Sequence, residues 1–213
     1  MGKNDRRGAR QDRNRRVGTR VPDLGYYLIV TDTKETEKNY FEGLKENIPA
    51  ELRDRLVIKV QRADVIDLVK TAKEFGDQDP QYRIPCIVFD RDQVKHFDQI
   101  IQSADKEGVK VGWSNPCIEI WFFAYFGEIP MIADSVTCCT RFSDLYERRT
   151  GQKYKKANRD IYKKLIEFGD EEQAILRSNR KLTQLYNEGK SKPSEMWPGN
   201  TLFELISEIN NKK

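Results

Sequence analysis

Short apolar runs alternate with helix-like stretches between Tyr26 and Gly127. Four runs are predicted as strands: YYLIVT (26–31), LVIKVQ (56–61), IPCIVFD (84–90) and VKVGW (109–113). The stretches between them place apolar residues at helical spacing, and a further helix is predicted to start at Asn115-Pro116 and run through CIEIWFFAYF. Strands and helices that alternate at these lengths predict an α/β fold, with a mostly parallel, Rossmann-like sheet flanked by helices.

After Gly127 the pattern predicts helices and no further strand. Apolar residues at helical spacing place these helices over 142–149, 160–168, 171–187 and 201–209. The Gly, Pro and Ser content of residues 189–200 predicts a loop. We therefore divide the chain into a basic arm (1–22), an α/β core (23–128) and a helical extension (129–213) that packs on the core.

The histidine and cysteine content narrows the possible chemistry. His96 is the single histidine, so a zinc hydrolase site, a Ser-His-Asp triad and a two-histidine iron site are excluded, and any catalysis must rely on carboxylates. No C-x-x-C spacing occurs, and reduced thiols are predicted for Cys86, Cys117, Cys138 and Cys139. No apolar run approaches the ~18 residues of a membrane span, and the charged N-terminus is unlike a signal peptide, so we expect a cytoplasmic protein.

Positive charge is concentrated at the N-terminus. Residues 1–20 contain eight Lys and Arg against two Asp, a net charge of +6, so the rest of the chain, which totals +4, carries −2. So polar a segment is predicted to be disordered and to contact the phosphate backbone of RNA or DNA, with a solubilising tail as the alternative. The arginines assigned to this contact are Arg6, Arg7, Arg10, Arg13, Arg15 and Arg16.

A second basic cluster follows residue 153. It begins with Lys155 and Lys156, which we assign to nucleic-acid binding together with the arm. The neighbouring Tyr154 and Tyr162 offer rings on which bases could stack. The alternative is a solvated helix face with no ligand.

Acidic side chains follow three of the four predicted strands. The working groups of open α/β sheets lie beyond the carboxyl ends of the strands, where these acids would meet. They are Asp32, Glu35 and Glu37 after the first strand, Asp90 and Asp92 after the third, and Glu119 after the fourth. This edge of the sheet is therefore the predicted site.

The D-x-D pair is a candidate metal site. In extended backbone, residues two apart point to the same side, so Asp90 and Asp92 could both face one Mg²⁺ or Mn²⁺ ion. The alternative is a turn or a helix cap. Glu119 lies in an apolar stretch, where a carboxylate is costly to bury without a cation or donors, although the helix dipole alone could also stabilise it.

Four segments resemble the RloB family of proteins associated with bacterial defence: IVTDTKETEKNYFEGL, VFDRDQ, SNPCIEIWFFAYF and NTLFELISEI. RloB-like proteins are similar to the wider Toprim group, which uses a glutamate after the first strand and a later D-x-D with Mg²⁺ on phosphodiesters. The resemblance implies a Toprim-like sheet with Asp32 in the place of that glutamate. Asp32-Thr33 replaces the usual Glu-Gly, so the shorter acid is expected to serve less well, with Glu35 or Glu37 contributing.

The favoured hypothesis is a Mg²⁺-dependent nuclease that acts as an effector in anti-phage defence. Asp90 and Asp92 would hold the metal, and Asp32, Glu37 and Glu119 would complete the catalytic site. The resemblance favours RNA, including tRNA, over DNA and implies a partner ATPase. The alternatives are a catalytically impaired nucleic-acid-binding or complex-forming subunit and another phosphotransfer enzyme, although no G-x-x-x-x-G-K-[ST] loop is present.

Overall fold

Four parallel strands and a short antiparallel fifth strand form one sheet. The computed structural model describes residues 22–32, 35–77, 83–92 and 94–213. The order across the sheet is β2-β1-β3-β4-β5. The strands are β1 (Gly25–Thr31), β2 (Leu56–Arg62), β3 (Arg83–Asp90), β4 (Lys110–Asn115) and β5 (Gly199–Asn200). The predicted α/β class, with a mostly parallel sheet flanked by helices, is confirmed.

Helices fill the connections between the strands and most of the C-terminal half. Short 3-10 turns lie at Ala50–Leu52, Val65–Asp67 and Pro193–Glu195. The α-helices are α1 (Thr36–Glu46), α2 (Leu68–Gly76), α3 (Phe97–Lys106), α4 (Glu119–Phe126), α5 (Ser135–Thr150), α6 (Ile161–Phe168), α7 (Glu171–Asn187) and α8 (Leu202–Asn210).

The centre of the sheet is β1, which pairs with β2 on one side and β3 on the other. Its residues Tyr27 to Val30 have no solvent-exposed surface. A parallel strand covered on both faces needs apolar side chains on both faces, which explains the unbroken apolar run in the sequence. β1 and β3 therefore end side by side, and the residues that follow them share one edge.

The helix α4 is buried along its whole length. Its eight residues, EIWFFAYF, are apolar on every side except for Glu119 at the start. Helices α5, α6 and α7 and strands β4 and β5 all contact it. Phe142 of α5 packs its ring against Phe122, Phe123 and Phe126, with ring centroids 5.4 to 6.3 Å apart. The C-terminal helices thus provide the cover that an all-apolar helix requires.

The structure corrects the predicted start of α4. Asn115 does not cap this helix, because it is the last residue of β4, where its backbone pairs with Gly199 of β5. Its side-chain Nδ2 donates to the backbone oxygens of Pro193 and Ser194 at 3.0 and 3.2 Å. The helix begins only at Glu119. The expectation of no strand after Gly127 is also wrong, since β5 lies within the segment predicted as a loop.

Helix α5 begins seven residues before the predicted start at 142. The side chain of Asp134 accepts a hydrogen bond from the Thr137 backbone N–H at 2.8 Å and caps the helix there. The first two turns carry few apolar residues, so periodicity alone did not reveal them. α6 and α7 agree with the predicted spans to within one residue.

We expect Gly43→Ala to destabilise the fold. A Cβ atom at this position in α1 would lie 2.6 Å from the Tyr162 Cβ of α6, so the two helices would have to move apart. The free energy of unfolding should fall by about 1–3 kcal/mol, despite the better helix propensity of alanine. Urea unfolding measures the change. Gly127→Ala is the control, because its Cβ would meet open space, and an equal loss in both variants would contradict the steric explanation.

Candidate metal and catalytic site

Four carboxyl groups meet at the edge of the sheet where β1 and β3 end. Asp32 directly follows β1, and Asp90 is the last residue of β3. Glu37 lies in the first turn of α1, and Glu119 is the first residue of α4. The charges of Asp32 and Glu119 act on both Glu37 and Asp90. The predicted convergence of acids from three strand ends is therefore present in the fold for these four residues.

Three of these acids, Glu37, Asp90 and Glu119, line a small cavity of about 300 Å³, and Asp32 is not part of its lining. Of the described residues that line it, Lys156 alone is basic. The lining consists of Glu35, Thr36, Glu37, Asp90, Ile118, Glu119 and Lys156. The cavity is thus strongly acidic, with one cation at its wall.

Glu37 and Asp90 hydrogen-bond to each other in this cavity. Burial, and then the charges of Asp32 and Glu119, raise the pKa of Glu37 to about 8, although the bond to Asp90 acts in the opposite direction. Desolvation and the charges of Glu37, Glu119 and Asp32 raise the pKa of Asp90 well above its ordinary value. Two carboxyl groups that hydrogen-bond need a proton between them, so they titrate as one unit.

The start of α4 supplies donors to the acids. The backbone N–H of Ile118 donates to the Asp90 carboxylate, at the end of the helix where the dipole favours negative charge. The hydroxyl of Tyr154 donates to Oε1 of Glu119 at 2.9 Å. Burial and the neighbouring Glu119 raise the pKa of Tyr154, which therefore remains a donor. These bonds fix the direction of two of the four carboxylates.

A hydrogen bond to the backbone of Lys156 holds this residue beside the cavity. The Thr36 hydroxyl of α1 donates to the Lys156 carbonyl oxygen at 3.1 Å, which joins the loop before α6 to the wall of the site. Partial burial would lower the pKa of Lys156, but Glu119 and the thiols of Cys139 and Cys117 raise it above its ordinary value. Its ammonium group is therefore charged at neutral pH and partly offsets the acids.

Asp92 lies apart from the four acids. The expectation that it shares an ion with Asp90 required extended backbone beyond residue 90, but β3 ends there. The next two backbone N–H groups donate to Ser114 and Pro116, and the chain turns away. Asp92 is exposed, and its Oδ1 accepts a hydrogen bond from the Ser135 hydroxyl at 2.8 Å. The second acid beside Asp90 is Glu119, from the following strand connection.

The donor set suits a hard divalent cation. All four acids offer oxygen, which Mg²⁺ and Mn²⁺ prefer, and the described wall supplies one lysine as counter-charge. Burial first, and then the negative charge of the neighbouring acids, raise the pKa values of both Glu37 and Asp90. A bound cation would relieve this repulsion. The residues therefore fit the Mg²⁺ or Mn²⁺ expected from the sequence.

Comparison with known proteins identifies the family. The model of the family described as RloB-like protein matches residues 27–209. The chain belongs to the RloB-like family. The match contains all four acids and the whole sheet except the first two residues of β1. No curated protein and no solved structure matches this RloB-like chain.

Several predicted binding residues lie away from the cavity. Lys155 is exposed and precedes Lys156 but does not line the cavity. Except for Pro22, the basic arm (1–22) of this RloB-like protein lies outside the described residues. The six arginines assigned to nucleic-acid binding therefore also lie outside them: Arg6, Arg7, Arg10, Arg13, Arg15 and Arg16. None of the helices in the described ranges has the length and apolar character that a membrane crossing requires.

The prediction of a ring for base stacking is wrong for Tyr162 and stays a prediction for Tyr154. Tyr162 is buried, and its ring packs against Tyr40 with centroids 5.3 Å apart. Tyr154 is half-buried against Phe142, with centroids 4.8 Å apart, and it bonds Glu119. The sequence contained no local signal for this second role, because Tyr154 and Glu119 are 35 residues apart.

We expect stability to fall with rising pH in the metal-free protein. Glu37 has a pKa of about 8 in the folded protein, above its ordinary value of 4.5, so the folded chain keeps a proton that the unfolded chain loses. The stabilising effect is complete below about pH 4.5 and is lost as the pH rises through 8. Glu37→Gln should flatten this decline, measured by urea unfolding in EDTA between pH 5 and 8.

Two comparisons complete this test. Glu51→Gln removes an exposed acid and should leave the pH dependence as in the wild type. Added Mg²⁺ should restore stability at pH 8 in the wild type, because a ligand that binds the folded state stabilises it. Parallel curves for wild type and Glu37→Gln would show that Glu37 does not carry the raised pKa.

Proposed function

We propose that this RloB-like chain is a metal-dependent nuclease that hydrolyses phosphodiester bonds, with RNA, including tRNA, favoured over DNA. The observation that carries the proposal is that Glu37, Asp90 and Glu119 line one cavity beside Lys156, while the charge of Asp32 acts on Glu37 and Asp90. Carboxylates clustered at the carboxyl edge of a parallel sheet are suited to holding a hard cation against a phosphate.

Asp90 and Glu119 are the proposed principal metal ligands. Both are directed by donors, Ile118 N–H for Asp90 and the Tyr154 hydroxyl for Glu119, so each carboxylate is oriented before an ion arrives. Asp32 is the further ligand or base that the family resemblance implies. Bound Mg²⁺ would supply Lewis-acid polarisation of a phosphoryl oxygen at this site.

Glu37 is the proposed proton carrier. With a pKa of about 8 it holds its proton through much of the neutral range, and the ideal catalytic pKa lies near the working pH. It can give its proton to the leaving oxygen and take up the proton that the attacking water releases, so that it ends the reaction protonated again. Lys156, charged at the cavity wall, would contact the phosphate.

The wider biological role follows from the family resemblance. We place this nuclease in the bacterial cytoplasm as an effector of anti-phage defence, with a partner ATPase that activates it. The basic arm and Lys155 would hold the nucleic-acid backbone outside the cavity. The alternative role, a subunit that binds nucleic acid without cutting it, is separated from this one by the cleavage experiment below.

We expect Asp90→Asn and Glu119→Gln each to reduce metal-dependent cleavage by ~10²-fold or more, because misplacing a metal or reacting group by ~1 Å has a similar effect. Asp92→Asn is the matched control. It lies two residues from Asp90 but outside the cavity, so it should cut at the wild-type rate. Cleavage of total RNA and of plasmid DNA is measured with Mg²⁺, Mn²⁺ or EDTA.

Thermal melting accompanies these rates. Asp90→Asn should melt at or above the wild-type temperature, since it removes one of several like charges. Equal cleavage by all three variants would contradict the proposed site. If wild type binds RNA but cuts neither RNA nor DNA with either metal, the chain is a binding subunit and not a nuclease.

Deletion of residues 1–20 should weaken nucleic-acid binding and reduce its salt dependence. Each phosphate contact contributes about 0.7 to the slope of log K against log salt for single strands, so the loss of six contacts would lower the slope by about 4. Binding isotherms at several salt concentrations give both slopes. Stability should be unchanged, and equal slopes for the full and shortened chains would show that the arm makes no phosphate contacts.

A further inference from the structure

A group of sulfur and oxygen ligands lies next to the acidic cavity. Cys117 precedes α4, Glu119 begins it, and Cys139 lies on α5. One ligand atom from each, the two Sγ atoms and a carboxylate oxygen, all lie within 4.8 Å of one another. The group therefore joins α5 to the start of α4 through side chains that can share a single ion.

We propose that Cys117, Glu119 and Cys139 form a binding site for a thiophilic divalent cation, Zn²⁺ above all. Thiolate sulfur selects zinc over magnesium, and two sulfurs with one carboxylate leave a fourth tetrahedral position for water. The four acids of the cavity offer only oxygen and suit Mg²⁺ or Mn²⁺. The chain would then carry two ion sites of different chemistry that share Glu119.

The environment of the thiols is consistent with an empty site that can be filled. Cys117 is buried, and Cys139 is partly exposed, which gives an ion a route of entry. Both are free thiols and not part of a disulfide. Binding of Zn²⁺ would form two S–Zn bonds and release two protons to water.

The neighbours of the group would orient it and make room for the ion. Tyr154 holds one oxygen of Glu119 by a hydrogen bond of 2.9 Å, as the outer ligands of metal sites do. The Lys156 ammonium hydrogen-bonds Cys139. Lys156 is an exposed residue whose long side chain can move into solvent, so an entering cation can replace its charge beside the thiols.

Sharing of Glu119 implies regulation of the cavity. A Zn²⁺ ion held by the two sulfurs would draw the Glu119 carboxylate away from Asp90. The Mg²⁺ site would then lose one of its two principal ligands. Zinc would therefore inhibit cleavage at ordinary Mg²⁺ concentration. This consequence rests on the proposed nuclease function, whereas zinc binding itself does not.

The binding test uses the full chain, reduced with a phosphine and titrated with Co²⁺ and then Zn²⁺ in excess Mg²⁺. We expect one ion per chain, thiolate-to-cobalt charge-transfer absorption, and its loss when Zn²⁺ displaces Co²⁺. Cys139→Ser should weaken Zn²⁺ binding by at least about tenfold in competition with a chromogenic chelator. Cys86→Ala, which removes a buried thiol from β3, should bind as the wild type does.

Variants of both cysteines are needed so that the zinc-binding test gives a clear result even if one of them does not fold. Cys117 is buried, so Cys117→Ser can fail to fold, but Cys139 is partly exposed and its variant should melt near the wild-type temperature. The proposal is overturned if Cys139→Ser and wild type give the same cobalt spectrum and the same zinc affinity, or if neither binds Co²⁺ or Zn²⁺.

Cleavage measured with and without Zn²⁺ separates the two proposals. Zinc that inhibits the wild type but not Cys139→Ser supports both the site and its regulatory role. Zinc bound through the two thiols by a chain that never cuts nucleic acid supports the site and refutes the nuclease. Mg²⁺-dependent cutting by a chain without thiol-bound zinc supports the nuclease and refutes the site.

Discussion

The need to exclude water from α4 on every side governs the rest of this structure. A helix with one apolar face needs one covering layer, but α4 is apolar all round and contacts β4, β5, α5, α6 and α7. The C-terminal helices are therefore part of the core. Because these contacts hold the helix in place, its first residue, Glu119, is fixed near the end of β3, and the packing of the core positions a carboxyl group at the edge of the sheet.

Repulsion among the acids is held in check by several small compensations. The raised pKa of Glu37 favours its uncharged form, a backbone N–H faces Asp90, a hydroxyl faces Glu119, and Lys156 lines the cavity. A group that is costly to keep charged in the absence of a ligand gains most when a cation arrives. The same Glu119 faces oxygen ligands on one side and sulfur ligands on the other, so its position matters to both proposals.

The pattern of apolar residues was sufficient to predict a strand or helix where that element depends mainly on its own residues. The four parallel strands and helices α6 and α7 lie within about two residues of their predicted spans, because their apolar periodicity is strong. The acids Asp32, Glu37, Asp90 and Glu119 could be placed from the strand ends. The features that the sequence did not predict depend on residues far away in the chain. Strand β5 forms only by pairing with β4. Asp92 is turned away from Asp90 by hydrogen bonds of residues 91 and 92 with Ser114, Pro116 and Ser135. Cys117 and Cys139 meet only after α5 packs, and no spacing rule relates them.

The position of β5 in the chain has a consequence for biosynthesis. β4 lies in the middle of the sequence, but its backbone partners at Gly199 and Asn200, and the oxygens that accept from Asn115, are made more than 70 residues later. α8, which also packs on β4, is made later still. A nascent chain on the ribosome therefore exposes this edge of the sheet until residues 193–209 emerge, so α4 and the acids at its start reach their final positions only after that segment has been made.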